Sequence, residues 1–331
     1  MTNDELRITN EGRILRIIDA NLNRGTEGLR VVEEICRFVL EDKVLTVKVK
    51  TLRGKLSRIV PQSLLVHRDA EGDVGREPYT RDEGRRTRVE DIFKANMKRA
   101  EEAVRVLEEF AKLLKPVYGR KFKAIRFKLY ELEKVLAPRI GKAEKLDFSL
   151  YVIIDPAVHQ QPLKLLKPGV KIVQLRAKTL NKTDYLRLAR QIGRKAKAKG
   201  ITFVINDHWQ LVNKAGADGV HLGWEDLKGK SLSKIRKALG EDKIIGLSAQ
   251  TLSEVRKADA LKPDYIGFGP VFCTPLKASV KPTGLKTLAK AVRLSRSPIV
   301  AIGGICPRNY KKVLATGCSR YAAIRAARLF F

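Results

Sequence analysis

From Leu150 to its end the chain repeats one unit eight times. Short, mostly aliphatic runs fall at Tyr151–Ile154, Lys171–Leu175, Thr202–Ile205, Gly219–Leu222, Ile244–Leu247, Tyr265–Phe268, Pro298–Ile302 and Tyr321–Ile324. Amphipathic stretches lie between them, at 183–199, 208–215, 231–239, 251–261, 284–294 and 307–316. Strand followed by helix, repeated eight times in so short a segment, predicts an α/β fold. The expected architecture is a (β/α)8 TIM barrel over residues 148–331, with an open doubly wound sheet as the structural alternative. Only Ala326 to Phe331 follow the eighth run, so the last helix is expected to be cut short.

In such barrels the chemistry sits at the C-terminal ends of the strands. The residues that follow each run are therefore the candidates. They are Gln174 to Lys178 after the second, Asn206 and Asp207 after the third, and Gly223 to Asp226 after the fourth. Ser248 follows the fifth, Gly269 to Lys277 the sixth, Gly303 and Gly304 the seventh, and Arg325 the eighth. Asp207 and Asp226 are two of only eleven acids after Leu150, and both sit at strand ends. Alone, Asp207 is an ordinary helix-capping residue. Beside Arg176, Lys178 and Lys277 the two carboxylates make a site for Mg²⁺ bound together with phosphates, the cations neutralising the oxygens that the metal does not reach. Arg176 offers a planar fork and the lysines point charges. The Gly303–Gly304 pair stands where this fold usually binds phosphate on backbone N–H groups.

The first part of the chain has a different logic. Residues 20–34 (ANLNRGTEGLRVVEE) and 95–109 (ANMKRAEEAVRVLEE) repeat at an offset of 75. Both copies carry a 3–4 apolar spacing, as do Leu45 to Ile59 and Phe122 to Leu136, which predicts an all-α helical bundle of about four long helices over residues 1–145. Gly25 and Ala100 share a stripe position, which points to helices in close approach. Glu27, Arg30 and Glu34, with Glu102, Arg105 and Glu109, read as surface ion-pair ladders worth about tenths of a kcal/mol per pair. The connection from Pro61 to Arg88 is long and charged; His67, Arg68, Asp69, Asp73 and Arg76 are anion-binding candidates within it, against the plainer reading of a solvated connector.

Charge narrows the choice of partners. Lys plus Arg number 67 and Asp plus Glu 36, a net of +31. The part through Leu150 holds 33 basic and 25 acidic residues, and the remainder 34 and 11, so +23 of the excess lies in the expected barrel. Such a field favours small phosphorylated substrates or nucleic acid. Aromatic residues make up only 6% and are not interleaved with the basic ones, which argues against nucleic acid. Apolar stretches fall short of a membrane span, and the acidic N-terminus lacks a signal core, so a cytoplasmic protein is expected. The pattern leaves room for a homo-oligomer. Cys36, Cys273, Cys306 and Cys318 form no C-x-x-C pair and are expected to be reduced, mostly buried thiols, with Cys273 a packing residue.

Six ordered segments, QLRAK, FVIND, GADGVHLGWEDL, IIGLSAQT, DYIGFGPVFCT with Lys277, and IVAIGGI, resemble the thiamine-phosphate synthase family. The helical part resembles the N-terminal extension of some of its members. The resemblance implies an alkyl transferase that joins hydroxymethylpyrimidine diphosphate to thiazole phosphate, releasing pyrophosphate. It implies that Gln174, Leu175, Arg176, Ala177, Lys178 and Asn206 hold the pyrimidine diphosphate, and that Asp207 and Asp226 hold Mg²⁺. Ser248 and Lys277 are implied to be catalytic, on the pyrimidine and the leaving diphosphate. Thr274, Pro275, Leu276, Gly304, Ile324 and Arg325 are implied to take the thiazole phosphate. Leu276, Trp224, Arg320 and Arg325 stand where the family usually has Thr, Gln, Gly and Ser. The Leu276 and Arg325 changes keep a second expectation open, a thiazole tautomerase-like relative on the same barrel.

Overall fold

A computed structural model describes residues 3–60, 86–277 and 279–331. The anion-binding candidates His67, Arg68, Asp69, Asp73 and Arg76 lie outside the described residues. The chain divides into two compact units, Met1–Glu144 and Lys145–Phe331.

The first unit is helical. Helices α1 (Asn3–Glu34), α2 (Lys43–Leu56), α3 (Val89–Leu114) and α4 (Pro116–Lys145) are its α-helices among the described residues, with a π-helical turn at Ile35–Val39. The apolar stripes read from the sequence form its core: Leu29, Val32, Phe93, Met97, Val104 and Leu107 are fully buried. The two repeat copies lie on α1 and α3, and they meet reciprocally. A Cβ added to Gly25 would lie 3.7 Å from Ala103, and one added to Gly28 would lie 3.6 Å from Ala100. Position 25 corresponds to 100 and position 28 to 103, so each copy presents its first small residue to the other's second. A side chain at Gly28 would also meet the Asn96 carbonyl at 2.8 Å, closer than real Cβ atoms approach backbone. Asn21 and Asn96 make the same bond in each copy, from Nδ2 to the carbonyl four residues back.

One rung of each expected surface ladder forms, Arg30 to Glu34 at 2.5 Å and Arg105 to Glu109 at 3.2 Å. The stronger ties involve a neighbouring acid. Glu33 and Glu108 are buried, and each accepts from an arginine of the following helix, Arg53 at 3.0 Å and Arg126 at 2.7 Å. Glu101 is also buried, and its Oε1 has no hydrogen-bond partner. Burial, and then the charge of Glu133, push its carboxyl up to about 7.

The second unit is a closed barrel of eight parallel strands in sequence order. They are β1 (Leu150–Ile154), β2 (Ile172–Leu175), β3 (Thr202–Asn206), β4 (Gly219–Leu222), β5 (Ile244–Ala249), β6 (Tyr265–Phe268), β7 (Ile299–Ile302) and β8 (Arg320–Ala323). β1 pairs with β2 on one side and with β8 on the other, Tyr151 opposite Ala322, which rules out the open sheet. Helices α5 (Lys182–Ala198), α7 (Leu232–Leu239), α8 (Leu252–Leu261) and α9 (Gly284–Leu294) cover the barrel, with the short α6 (Val212–Ala215) and α10 (Tyr310–Leu314). Sequence-coded caps start three of them: Asn181, Ser231 and Thr251 accept backbone N–H groups at the N-termini of α5, α7 and α8. The β1–β2 crossover carries only a 3₁₀ turn at Pro162–Leu165, and a 3₁₀ turn at Ala327–Phe330 stands where the eighth helix would be. Phe330 packs there on Tyr310 and Tyr321, with ring centroids 5.8 and 5.6 Å away.

Candidate active site

Side-chain alternation divides the barrel residues between two cores. One set, including Leu175, Ala177, Phe203 and Ile205, fills the layer between strands and helices. The other points into the lumen, where Ile172, Val204, Ile244 and Val300 are buried together with Tyr151 and Tyr265. Above them a cavity of about 700 Å³ opens at the C-terminal ends of the strands. Its wall brings together Gln174, Arg176, Lys178, Asn206, Asp207, Ser248, Thr274, Pro275, Leu276, Gly304, Ile324 and Arg325 from six strand ends, while Asp226 lies just off the wall. Leu175 and Ala177 do not join them. They are the out-facing positions of β2 and its loop, and their side chains are buried under the helices. Lys277 ends the short 3₁₀ turn Pro275–Lys277, and its side chain lies outside the described part.

A chain of hydrogen bonds lines the floor. Gln174 Nε2 donates to Tyr151 Oη at 3.1 Å, and Tyr151 and Tyr265 share a bond of 3.1 Å. Tyr265 Oη is 3.0 Å from His221 Nδ1, and His221 Nε2 is 2.9 Å from Ser248 Oγ. His221 therefore faces inward and stacks on Tyr265 at 5.4 Å. Gly246 makes room for the pair, since a Cβ there would come within 2.5 Å of Tyr265 Oη and 2.6 Å of His221 Nδ1. Burial raises both tyrosines above their ordinary range, so they stay protonated. Tyr185 of α5 ties the ends of β2 and β3, donating to the Leu175 and Asn206 carbonyls at 3.1 Å.

At the rim, Asp207 has a positive φ of 64° and donates its N–H to the His221 carbonyl at 2.9 Å, a strained turn held by the next strand. The Asp226 carboxyl lies within hydrogen-bonding reach of it. Asp226 is itself fixed by the Gly223 N–H at 2.7 Å. Burial first, and then the Asp226 charge, raise the Asp207 carboxyl, while Lys178 acts in the opposite direction. Two adjoining carboxylates that raise each other's cost are relieved by a divalent cation. Among the described residues no cluster of three or more His, Cys, Asp or Glu is placed to hold a metal. A cation here would complete its shell with water and substrate oxygens, the usual manner for Mg²⁺, and the donor set fits it. Across the mouth, Gly304 has φ 64°, and a Cβ on it would meet the Cys273 carbonyl at 2.5 Å, so only glycine brings the backbone this close.

The model for thiamine monophosphate synthase matches residues 150–327. The chain belongs to the thiamine-phosphate synthase family. The synthase of a Synechocystis species is 40% identical over 315 residues, covering 95% of this chain and 91% of that protein. The synthase of a Synechococcus species is 38% identical over 323 residues, covering 95% and 90%. A solved thiamine phosphate pyrophosphorylase from Pyrococcus furiosus is 30% identical, with a TM-score of 0.48, covering 55% of this chain and 86% of that one. The ThiD2 family model matches residues 16–135, within the helical unit.

Of the four positions that distinguish this chain from the usual thiamine-phosphate synthase pattern, Trp224, Leu276 and Arg325 line the cavity. Arg320 does not. It opens β8 at the opposite end of the barrel, where Nε donates to the Leu146 carbonyl at 3.1 Å and the guanidinium lies over Phe148. Cys273 is not a packing residue but is exposed and lines the cavity; Cys36 and Cys318 are buried. Nothing in the sequence marks Tyr151 and Tyr265, which lie within strands below the rim, and His221 reads there as a lone histidine on β4 that alternation can turn into the barrel or outward. Asp155 was missed as well. It is buried just past β1, and its Oδ2 meets Arg176 at 2.5 Å. Its scarcity as an acid was the available signal. No helix among the described residues is long and apolar enough to cross a membrane.

Proposed function

We propose that the barrel mouth joins 4-amino-2-methyl-5-hydroxymethylpyrimidine diphosphate to a thiazole phosphate, giving thiamine monophosphate and pyrophosphate. The observation that carries this reading is Asp207 on the cavity wall with Arg176 and Lys178, its carboxyl paired from behind the wall with that of Asp226. That set suits a diphosphate bound with a divalent cation. The C–O bond to the diphosphate breaks and leaves a pyrimidine methylene cation, stabilised by the ring amino group. The thiazole nitrogen then supplies the electron pair for the new C–N bond, so no protein nucleophile is needed.

Each residue has a task in this scheme. Arg176 and Lys178, with Lys277, neutralise the departing oxygens, and Asn206 orients them. Mg²⁺ held by Asp207 and Asp226 would supply further positive charge to the leaving group. Gln174 and Ser248, joined through the floor hydrogen bonds, fix the pyrimidine ring. Thr274, the Gly304 backbone and the Ile324–Arg325 segment hold the thiazole phosphate, so that its nitrogen faces the methylene carbon. Arg325 takes over the contact that Leu276 cannot make. Small phosphorylated molecules are thus the partners. The test is an end-point assay for thiamine phosphate from the two substrates, with and without Mg²⁺. Product should form only with the metal, and Asp207→Ala should abolish it. Product formation by Asp207→Ala at the wild-type rate would refute the assignment.

A further inference from the structure

The loop after β1 contributes no side chain to the cavity wall, yet it touches the groups expected to hold each substrate. Asp155 is 3% exposed, and neither it nor His159 lines the cavity. The Asp155 carboxylate divides its oxygens: Oδ1 accepts the Ala157 N–H at 3.1 Å, and Oδ2 pairs with Arg176 Nη1 at 2.5 Å. One edge of the Arg176 fork is thus fixed from behind, while the side chain remains part of the cavity wall. Four residues on, His159 is 1% exposed, and its Nε2 lies 3.1 Å from the Ile324 carbonyl.

The partners set the state of this ring. A carbonyl only accepts, so Nε2 carries the hydrogen. Nδ1 then accepts from the Asp155 N–H at 3.1 Å. The Asp155 carbonyl, also 3.1 Å from Nδ1, already receives the Val158 and His159 N–H groups at 2.9 and 2.8 Å. Burial pushes His159 below its ordinary range, which keeps it in this neutral form. The Ile324 carbonyl accepts from both His159 Nε2 and the Ala327 N–H at 3.0 Å, so the plane of the 324–325 peptide is fixed. In a trans peptide the N–H points away from the carbonyl. The Arg325 N–H therefore points away from His159, which lies behind the cavity wall.

We propose that Asp155 and His159 are positioning residues, Asp155 aiming Arg176 at the diphosphate and His159 aiming the Ile324–Arg325 peptide at the thiazole phosphate. This deepens the reading above and rests on it for the identity of the two ligands. One short loop thereby sets the geometry of both half-sites without touching either substrate.

The experiment compares D155N, H159L and H159Q with the wild type, measuring KM for each substrate and calorimetric binding of inorganic pyrophosphate with Mg²⁺. D155N should raise the KM for the pyrimidine diphosphate and weaken pyrophosphate about tenfold, the scale of one charge-assisted bond, and leave the thiazole phosphate KM within about twofold. H159L should raise the thiazole phosphate KM about fivefold without changing pyrophosphate binding, and H159Q, which keeps an N–H donor, should restore it. D155N and H159Q nearly preserve shape, so the comparison survives if H159L does not fold. Equal changes in both KM values, no change in either, or failure of Gln to restore the thiazole KM relative to Leu would overturn the proposal. So would unchanged pyrophosphate binding in D155N. If the wild type binds pyrophosphate with the expected D155N loss but makes no thiamine phosphate, the reaction assignment fails and the role of Asp155 stands.

Discussion

Replacing Glu101 by Gln tests the electrostatics of the helical unit. Its carboxyl is buried on α3, and burial and the Glu133 charge raise it to about 7 from 4.5. Below pH 4.5 the group is protonated in the folded and unfolded chains alike, and it costs nothing. Above pH 7 it is ionised in both, and the folded chain bears the whole penalty. The difference between the two values corresponds to about 3 kcal/mol at most. Wild-type stability should fall by about 2 to 3 kcal/mol relative to E101Q between pH 4.5 and pH 8. The measurement is urea unfolding followed by far-ultraviolet circular dichroism on the full chain at both pH values. Groups common to the two proteins cancel in the difference. Curves for wild type and E101Q that stay parallel across this range would refute the argument, because they would mean that the carboxyl is as well solvated in the fold as in the unfolded chain.

Three further outcomes follow from the same reasoning. Asp207→Asn should abolish turnover yet raise the melting temperature at pH 7 in metal-free buffer, since it removes a carboxyl raised by burial and by Asp226; calorimetry at pH 7 and pH 4 should show the gain shrinking as the wild-type group takes up its proton. Arg325→Ala should raise the KM for the thiazole phosphate about tenfold with little change for the diphosphate, as steady-state kinetics would reveal. Gly28→Val should destabilise the helical unit by about 1 to 3 kcal/mol in urea unfolding, because its side chain would be driven into the Asn96 carbonyl.

The barrel was legible because its signal is redundant. Each strand is a short apolar run with punctuation on both sides, and observed strand ends lie within two residues of the sequence reading. The rim residues were legible for a related reason: a strand's last residue is marked by a change from apolar to polar. The floor was not. His221 and Tyr265 sit inside runs whose alternation gives two faces, and a sequence does not say which face is the lumen. Closure of the barrel decides it. In the helical unit, Glu33 and Glu108 stand one residue before the ladder acids Glu34 and Glu109, and no spacing rule marks them as buried. Their burial depends on Arg53 and Arg126 arriving from the next helix, a pairing across about twenty residues that no i, i+4 rule encodes. Asp155 escaped notice because its partner, Arg176, already had an expected role.

The reciprocal contact between α1 and α3 carries its own implication. When position 25 of one copy touches 103 and position 28 touches 100, the two helices meet with their equivalent small residues exchanged. The seam is thus reciprocal, and an altered small residue in either copy is felt first by its opposite number in the other.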